Sequence, residues 1–438
     1  MKREEIIKLY ESGQAAVVEL VHKLIAQIDE LKSTVTKLTE QIDELKGQLK
    51  KDSHNSSKPP SSDGTGKNWT KSSRKRSGKK PGGQEGHKGA NLKMVDNPDK
   101  TIVHSIRKCK NCNESLDETE VSEYERRQVF DMPPMKLEVT EHKSEIKLCP
   151  HCGEVNKTDF PEDIKRQAQY GKRLKGFLVY LNQYQLLPYE RLIELMNDLY
   201  SIDISKGTVY NFNKGCYEIL RPVEDIIKEL LAGSQVLHGD ETGMSCCSNL
   251  KWLHVLSTSK LTYYLIHAKR GKEAMDEMGI LPDFKGGLTH DFWKPYLRYN
   301  CYHGFCNAHT LRELTFIHEH YKQKWAVEII DLLLRIKENV DKRYNRLSSA
   351  TIKRFETEYD KIISKGFGKN PRAPNMPHKR GRKKQSKARI LLERLKQYKG
   401  EAPAFMYDFN VPFDNNQAER YLRMAKVKQK IPKWSLIN

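Results

Sequence analysis

The chain has 438 residues, with 77 Lys and Arg against 57 Asp and Glu and a formal charge of +20. This length allows more than one domain and a sizeable core, and no apolar run reaches the ~18 residues of a membrane span, so a surface this basic points to a polyanion, nucleic acid first. The charged start MKREEIIKLYESG lacks a signal-peptide apolar region, and nine cysteines, four of them in two CxxC pairs, fit a reduced, cytoplasmic, nucleoid-associated protein better than a disulfide framework.

From Val21, apolar residues recur at alternating spacings of three and four through Leu24, Ile28, Leu31, Val35, Leu38, Ile42, Leu45 and Leu49. β-Branched residues hold one core position and leucines the other, the pattern of a parallel two-stranded coiled coil, so residues 1–50 are expected to form a homodimer. An amphipathic helix folded onto its own domain is the plainer alternative. Residues 51–100 read as a basic, disordered linker: Lys51 to Lys93 holds 11 Lys/Arg and 3 Asp/Glu among Gly, Pro and Ser. Such an arm either lies along phosphates or serves as a soluble tether.

CKNC, with Cys109 and Cys112, and CPHC, with Cys149 and Cys152, lie 36 residues apart. Each CxxC turn points two thiolates at one cation, and two turns complete a tetrahedral structural Zn2+ site, expected as a zinc ribbon over 101–160. The alternating stretch YERRQVFDMPPMKLEVTEHKSEIKL is expected to supply the ribbon's hairpin. His151, inside CPHC, has the wrong spacing for a ligand.

Residues 161–232 read as helical. Pro188 starts a helix to about Tyr200, Ser205 caps the next, and Gly207 to Cys216 continues it. This is a helix-turn-helix candidate in which Lys206, Thr208, Tyr210 and Asn211 face a DNA groove, or a hairpin that only packs.

After Ser234 the texture becomes β. QVLHGDETG, KWLHVLSTS and TYYLIHAK read as three strands, GKEAMDEMGIL as a helix, GGLTHDFWKPY as a fourth strand, and NCYHGFCNAHTLRELTFI as a fifth strand entering a helix. The order βββαβ is that of a ribonuclease-H-like sheet, so 233–438 is expected to be an α/β catalytic domain with a helical insertion at about 320–400. Within the insertion, seven of the eleven residues from Lys379 to Arg389 are Lys or Arg, suited to phosphates or simply a solvated loop. Asp240 and Asp291 fall at strand ends and Glu419 about a turn inside the helix of PFDNNQAERYLR. Three such acids can hold two divalent cations that clamp the oxygens of a phosphoryl transfer. A turn cap at Asp240 and an i, i+4 pair of Glu419 with Arg423 are the bland alternatives.

HGDET, HDFWKPY, CNAHTLREL and DNNQAER, in this order, resemble the catalytic core of the insertion sequence 66 family of DDE transposases. NSSKPPSSD, KKPGGQEGHKG, the CxxC pairs and SKGTVYN resemble that family's N-terminal half, so the likeness runs from about Lys46 to Gln429. The resemblance implies a multidomain α+β protein with a ribonuclease-H-like core in which Asp240, Asp291 and Glu419 bind two Mg2+ (or Mn2+). It implies an enzyme that nicks transposon ends and joins the freed 3′ hydroxyls to target DNA, with double-stranded DNA and other element-encoded proteins as partners and no membrane. His309 and Arg312 would lie near the site, and Asn415 and Asn416 would orient Glu419. In the family the last helix runs through a KVKQK-like stretch into a further segment, whereas here Lys426 to Lys430 gives way to IPKWSLIN. The expectation is a shortened C-terminus, and with it the alternative of a catalytically impaired protein that only binds specific DNA.

Overall fold

The computed structural model describes residues 4, 7, 10–56, 92–246, 248–343, 346–372 and 385–430. Most of the basic linker, most of the Lys379–Arg389 cluster and IPKWSLIN lie outside the described residues. The chain divides into two compact units, Met1–Lys71 with Asn213–Asn438, and Ser72–Phe212.

The larger unit is built on a five-stranded mixed sheet. In chain order its strands are β3 (Val236–Cys246), β4 (Asn249–Ser257), β5 (Thr262–His267), β6 (Gly287–His290) and β7 (Tyr302–Phe305), after two short strands of the other unit, β1 (Ile146–Leu148) and β2 (Val155–Lys157). The spatial order is β5-β4-β3-β6-β7. β3, β4 and β5 form an antiparallel meander, while β6 runs parallel to both β3 and β7. All four residues of β6 are buried, as expected for a parallel strand covered on both faces.

One face of the sheet packs Leu237, Leu256 and Leu288 against Met275, Met278, Leu281, Phe284 and Tyr296. The other packs Met244, Leu253 and Val255 against Ala418 and Leu422 of the last helix. The insertion has a larger core, where Trp325, Ile329, Leu332, Leu333, Phe355, Tyr359, Leu391 and Leu395 interlock. Its helices span Lys324–Asp341, Ser349–Lys369 and Lys387–Gln397, and Ser348 and Ser386 cap the latter two by accepting N–H bonds from Thr351 and Arg389. The N-terminal helix α1 (Gln14–Leu49) carries the heptad residues with Val21, Leu24, Ile28 and Leu31 exposed. Near its C-terminal end, Asn55 donates to Glu319 Oε2 at 3.3 Å.

In the smaller unit, helices α2 (Lys172–Val179) and α3 (Tyr189–Tyr200) and the start of α4 (Lys206–Ala232) bury Leu178, Leu192, Met196, Ile204 and Val209 together. Ser201, left-handed at φ 52°, ends α3, and Ser205 Oγ accepts the Thr208 N–H at 3.1 Å. The sequence expectation placed the second helix at Gly207–Cys216. Instead α4 continues to Ala232 through Pro222, because apolar residues keep helical spacing on both sides of the proline. Lys206, Tyr210 and Asn211 are exposed, as a groove-facing role requires, but Lys206 donates to Glu190 at 2.7 Å and Thr208 is half-buried against Ser205.

The expected zinc-ribbon hairpin is also displaced. Residues 121–143 contain no strand; β1 (Ile146–Leu148) and β2 (Val155–Lys157) instead pair antiparallel around the second CxxC turn. Two adjacent prolines, Pro133 and Pro134, remove N–H donors from the middle of the alternating stretch, and Val129 and Val139 are almost fully exposed.

Candidate active site and zinc-binding turns

β6 pairs with β3 only from Val236 to His238, so beyond that point the β3 edge opens. Asp240 lies just past the opening, in the middle of β3 and not at the strand end the sequence suggested, because pairing with β4 carries β3 on to Cys246. Asp291 follows the last residue of β6. Topology thus brings two acids from distant strands to one edge of the sheet. The third comes from the last helix, α11 (Asn416–Lys430), which carries Glu419 in its first turn. Between α4 and α11, among the described residues, come α5 (Lys272–Glu277), α6 (Asn307–Tyr321), the three insertion helices α7 to α9, and α10 (Ala404–Tyr407).

The register of α11 is fixed by side-chain bonds to the sheet. Asn415, buried just ahead of the helix, donates to the Gly239 carbonyl at 2.8 Å and shares a 2.9 Å bond with His238 Nδ1. Its own N–H meets Cys306 Sγ at 3.2 Å, and its carbonyl accepts the Glu419 N–H at 3.3 Å. Asn415 therefore locks the helix start to the residue next to Asp240. Gln417 donates to the Thr258 carbonyl, Lys426 to that of Gly243, and Gln429 to that of Ser245 at 3.3 Å. The sequence expectation for Asn416 does not hold, since its side chain is exposed and its N–H is taken by Asp414 Oδ1 at 3.1 Å.

The acids feel one another. Burial raises the Asp240 carboxyl well above the usual range, and Glu241, Asp291 and Glu419 add like-charge repulsion. Burial also raises Asp291, opposed by the Trp293 N–H, which donates to its Oδ1 at 3.0 Å, and by Arg270 and Arg394. Glu419 is raised by burial and held back by Arg312 and Arg423. Its Oε1 is buried without a hydrogen-bond partner, 3.7 Å from His309 Nδ1 and 4.0 Å from Arg312 Nη2. His309 is lowered to about 4 by burial and its arginine neighbours, so at neutral pH its contact with Glu419 is not an ion pair. Glu419 Oε2 lies 3.6 Å from Arg423, so the bland helical pair is present alongside the site contacts.

Sequence reasoning missed two neighbours. Cys306 joins His309 and Glu419 in the group of metal-capable residues, among those described, whose donor atoms all lie within 4.8 Å of one another. Burial pushes its thiol to about 12, so it stays protonated and offers nothing to a hard cation. The other is Glu241, buried on β3 and raised to about 7, first by burial and then by Asp291. Its position beside Asp240 in HGDET was visible, but its partners are scattered through the sequence.

Among the described residues, the zinc cysteines form two matched turns. The Cys109 N–H donates to Glu114 O at 2.9 Å and that of Asn113 to Cys109 O at 2.9 Å; the Cys149 N–H donates to Glu154 O at 2.8 Å and that of Gly153 to Cys149 O at 2.9 Å. Asn113 and Gly153 occupy equivalent left-handed positions, φ 64° and 73°, which Asn and Gly tolerate best. Backbone N–H groups of Cys112 and Asn111 lower the Cys109 thiol, and those of Cys152 and His151 lower Cys149, as thiolate ligands need. Among the described residues, the four sulfurs do not gather within 4.8 Å of one another as a set.

Among the described residues no helix is long and apolar enough to cross a membrane. A comparison with curated proteins gave no match. Family profiles did match: residues 107–153 fit the zinc-finger binding domain of transposase IS66, and residues 8–93 fit a family of unknown function. The two CxxC turns lie inside the zinc-finger match, which supports zinc and DNA binding for this region. Residues 167–435, more than half of the chain and including the whole five-stranded sheet and α11, fit a further profile, and on that match the chain belongs to the Transposase IS66 family.

Proposed function

We propose that this transposase cleaves DNA strands at transposon ends and transfers them to target DNA by metal-dependent phosphoryl transfer on a ribonuclease-H-like sheet, with Asp240, Asp291 and Glu419 as its metal-holding acids. The observation that carries the reading is the convergence of three half-buried carboxylates, from mid-β3, the end of β6 and the first turn of α11, each raised by burial. Three carboxylates are the hard oxygen set that magnesium or manganese takes, and the unpartnered Glu419 Oε1 supports that fit. A bound divalent cation supplies Lewis-acid charge and activates the attacking oxygen in such transfers.

The chain's own residues do the positioning. The Trp293 N–H fixes Asp291, and Asn415 sets the height of Glu419 along the sheet. Arg312 and Arg423 hold Glu419 toward its ionised form. In this reading α1, with its exposed heptad stripe, pairs with a second copy, and the zinc region and α2–α4 hold DNA.

The test is strand cleavage of a duplex carrying the element's end, with magnesium or manganese, by the unaltered chain and by Asp240→Asn. The substitution is expected to reduce cleavage by about a thousandfold or more with DNA affinity kept. Cleavage at an unchanged rate by Asp240→Asn would remove the proposal.

A further inference from the structure

Beside the three acids lies a constellation that the cleavage reading does not use. Glu241 Oε1 accepts from Arg270 Nε at 3.0 Å and Nη2 at 2.8 Å, and its Oε2 accepts the Tyr296 hydroxyl at 2.7 Å. The side chain of Glu241 is 0% exposed. Arg270 comes from the turn between β5 and α5, and its guanidinium carbon lies 4.8 Å from the Trp252 ring centroid and 4.2 Å from that of Trp293. Trp293 is also the residue whose N–H holds Asp291.

An arginine that only neutralised a buried glutamate would be expected to sink with it. Arg270 instead keeps 39% of its side chain exposed, and its Nη1 has no acceptor among the described residues. The guanidinium carbon lies over both indole rings, and Nε and Nη2 are taken by Glu241, so what remains available is the Nη1 edge. A stacked, charge-fixed guanidinium presenting its edge loses little conformational freedom when it meets an anion. The acids next to it repel DNA phosphates, so a fixed cation on that wall has a clear electrostatic use. Arg270 already works in this sense on Asp291, whose carboxyl it draws downward against burial.

We infer that Arg270, framed by Trp252, Trp293 and Glu241, is a positioning residue that binds a backbone phosphate of the DNA strand entering beside Asp291. The inference rests on reading the acids as the cleavage site, and it is tested without cleavage. Affinity of the full chain for an end-bearing duplex and for a scrambled duplex is measured over a salt series with no added magnesium or manganese. Arg270→Gln is expected to weaken binding to both duplexes roughly tenfold and to reduce the slope of log affinity on log salt by about one. Glu241→Gln, which removes the partner but keeps the cation, is expected to leave that slope in place.

An unchanged slope in Arg270→Gln overturns the inference, because Arg270 is then only the counter-ion of Glu241. A loss confined to the end-bearing duplex also overturns it, in favour of base reading. If Arg270→Gln fails to fold because Glu241 is stranded, the paired variant Arg270→Gln with Glu241→Gln, which leaves no buried charge, is read against Glu241→Gln by the same slope. Failure of Asp240→Asn to stop cleavage would sink the acid site and leave the slope result standing; an unchanged slope with cleavage still lost in Asp240→Asn would do the reverse.

Discussion

The sheet and the zinc-finger region solve the problem of holding reactive side chains in opposite ways. Around the acids, position is set by packing: Leu237, Leu256, Leu288 and Tyr296 are essentially inaccessible on one face, and Ala418 and Leu422 are buried on the other. Around the cysteines, from Thr101 to Lys157, every residue is exposed or only half-buried, and order comes from two hydrogen-bonded turns and a three-residue hairpin. The core alone holds the acids in place, at the expense of raised, mutually repelling carboxyls. The second has no core of its own, so its ligand is expected to be part of its fold.

The sharpest break between the two is metal withdrawal. Structural zinc contributes on the order of 10–16 kcal/mol to such small domains, so chelation or Cys149→Ser is expected to erase exchange protection at the amides of Cys149 and Gly153 while β3 to β7 keep theirs. Metal content that does not fall in Cys149→Ser, by elemental analysis, would show that the turns hold no zinc. Next in size is a cavity. Leu237→Ala, at a 0% exposed position, is expected to cost about 2–5 kcal/mol in denaturant unfolding, against about 0.5 kcal/mol or less for Val139→Ala at 89% exposure. Similar values for both would mean that residues 121–143 pack more than their exposure indicates.

A smaller effect sharpens the account of the helical region. Ser205→Ala removes the cap on Thr208 N–H and is expected to cost about 1 kcal/mol, with Ser205→Gly costing less. Smallest is a pH dependence specific to the sheet. Burial lowers His254 and His303 below 6.5, so as pH falls through about 6.5 the unfolded chain takes up protons that the fold refuses. Their contribution to stability is present above that pH and is lost as pH falls toward the lowered values. Melting curves between pH 7.5 and 5.5 should lose less stability in His303→Gln than in the unaltered chain, and parallel curves would rule the residue out.

The chain's local signals were clear where local chemistry decides. The strands carrying Asp240 and leading to Asp291 follow apolar patterning, and Glu419 falls one turn into a helix because Asp414 and Asn415 are good helix-entry residues. CxxC spacing marked the two turns directly. Less legible was anything fixed by long-range contact. Nothing in the sequence tied Glu241 to Arg270, Trp252, Trp293 and Tyr296, which come from three separate stretches of the chain. The helix expected over Gly207 to Cys216 runs on, because apolar residues at helical spacing continue beyond Pro222 and keep α4 going. The alternation through 121–143 misled because period alone does not tell a strand from an exposed extended segment with no partner to pair with.

The anchoring of α11 also has a consequence in time. Asn415, Gln417, Lys426 and Gln429 dock the helix onto strands made much earlier, so Asp240 and Asp291 leave the ribosome a whole helical insertion before Glu419 can join them. At bacterial-like synthesis rates that interval is on the order of ten seconds. In that interval a nascent chain can fold the zinc-finger region and most of its sheet, but Glu419 has not yet been made. If the three acids form the cleavage site as proposed, the order of the residues delays cutting until α11 has been made.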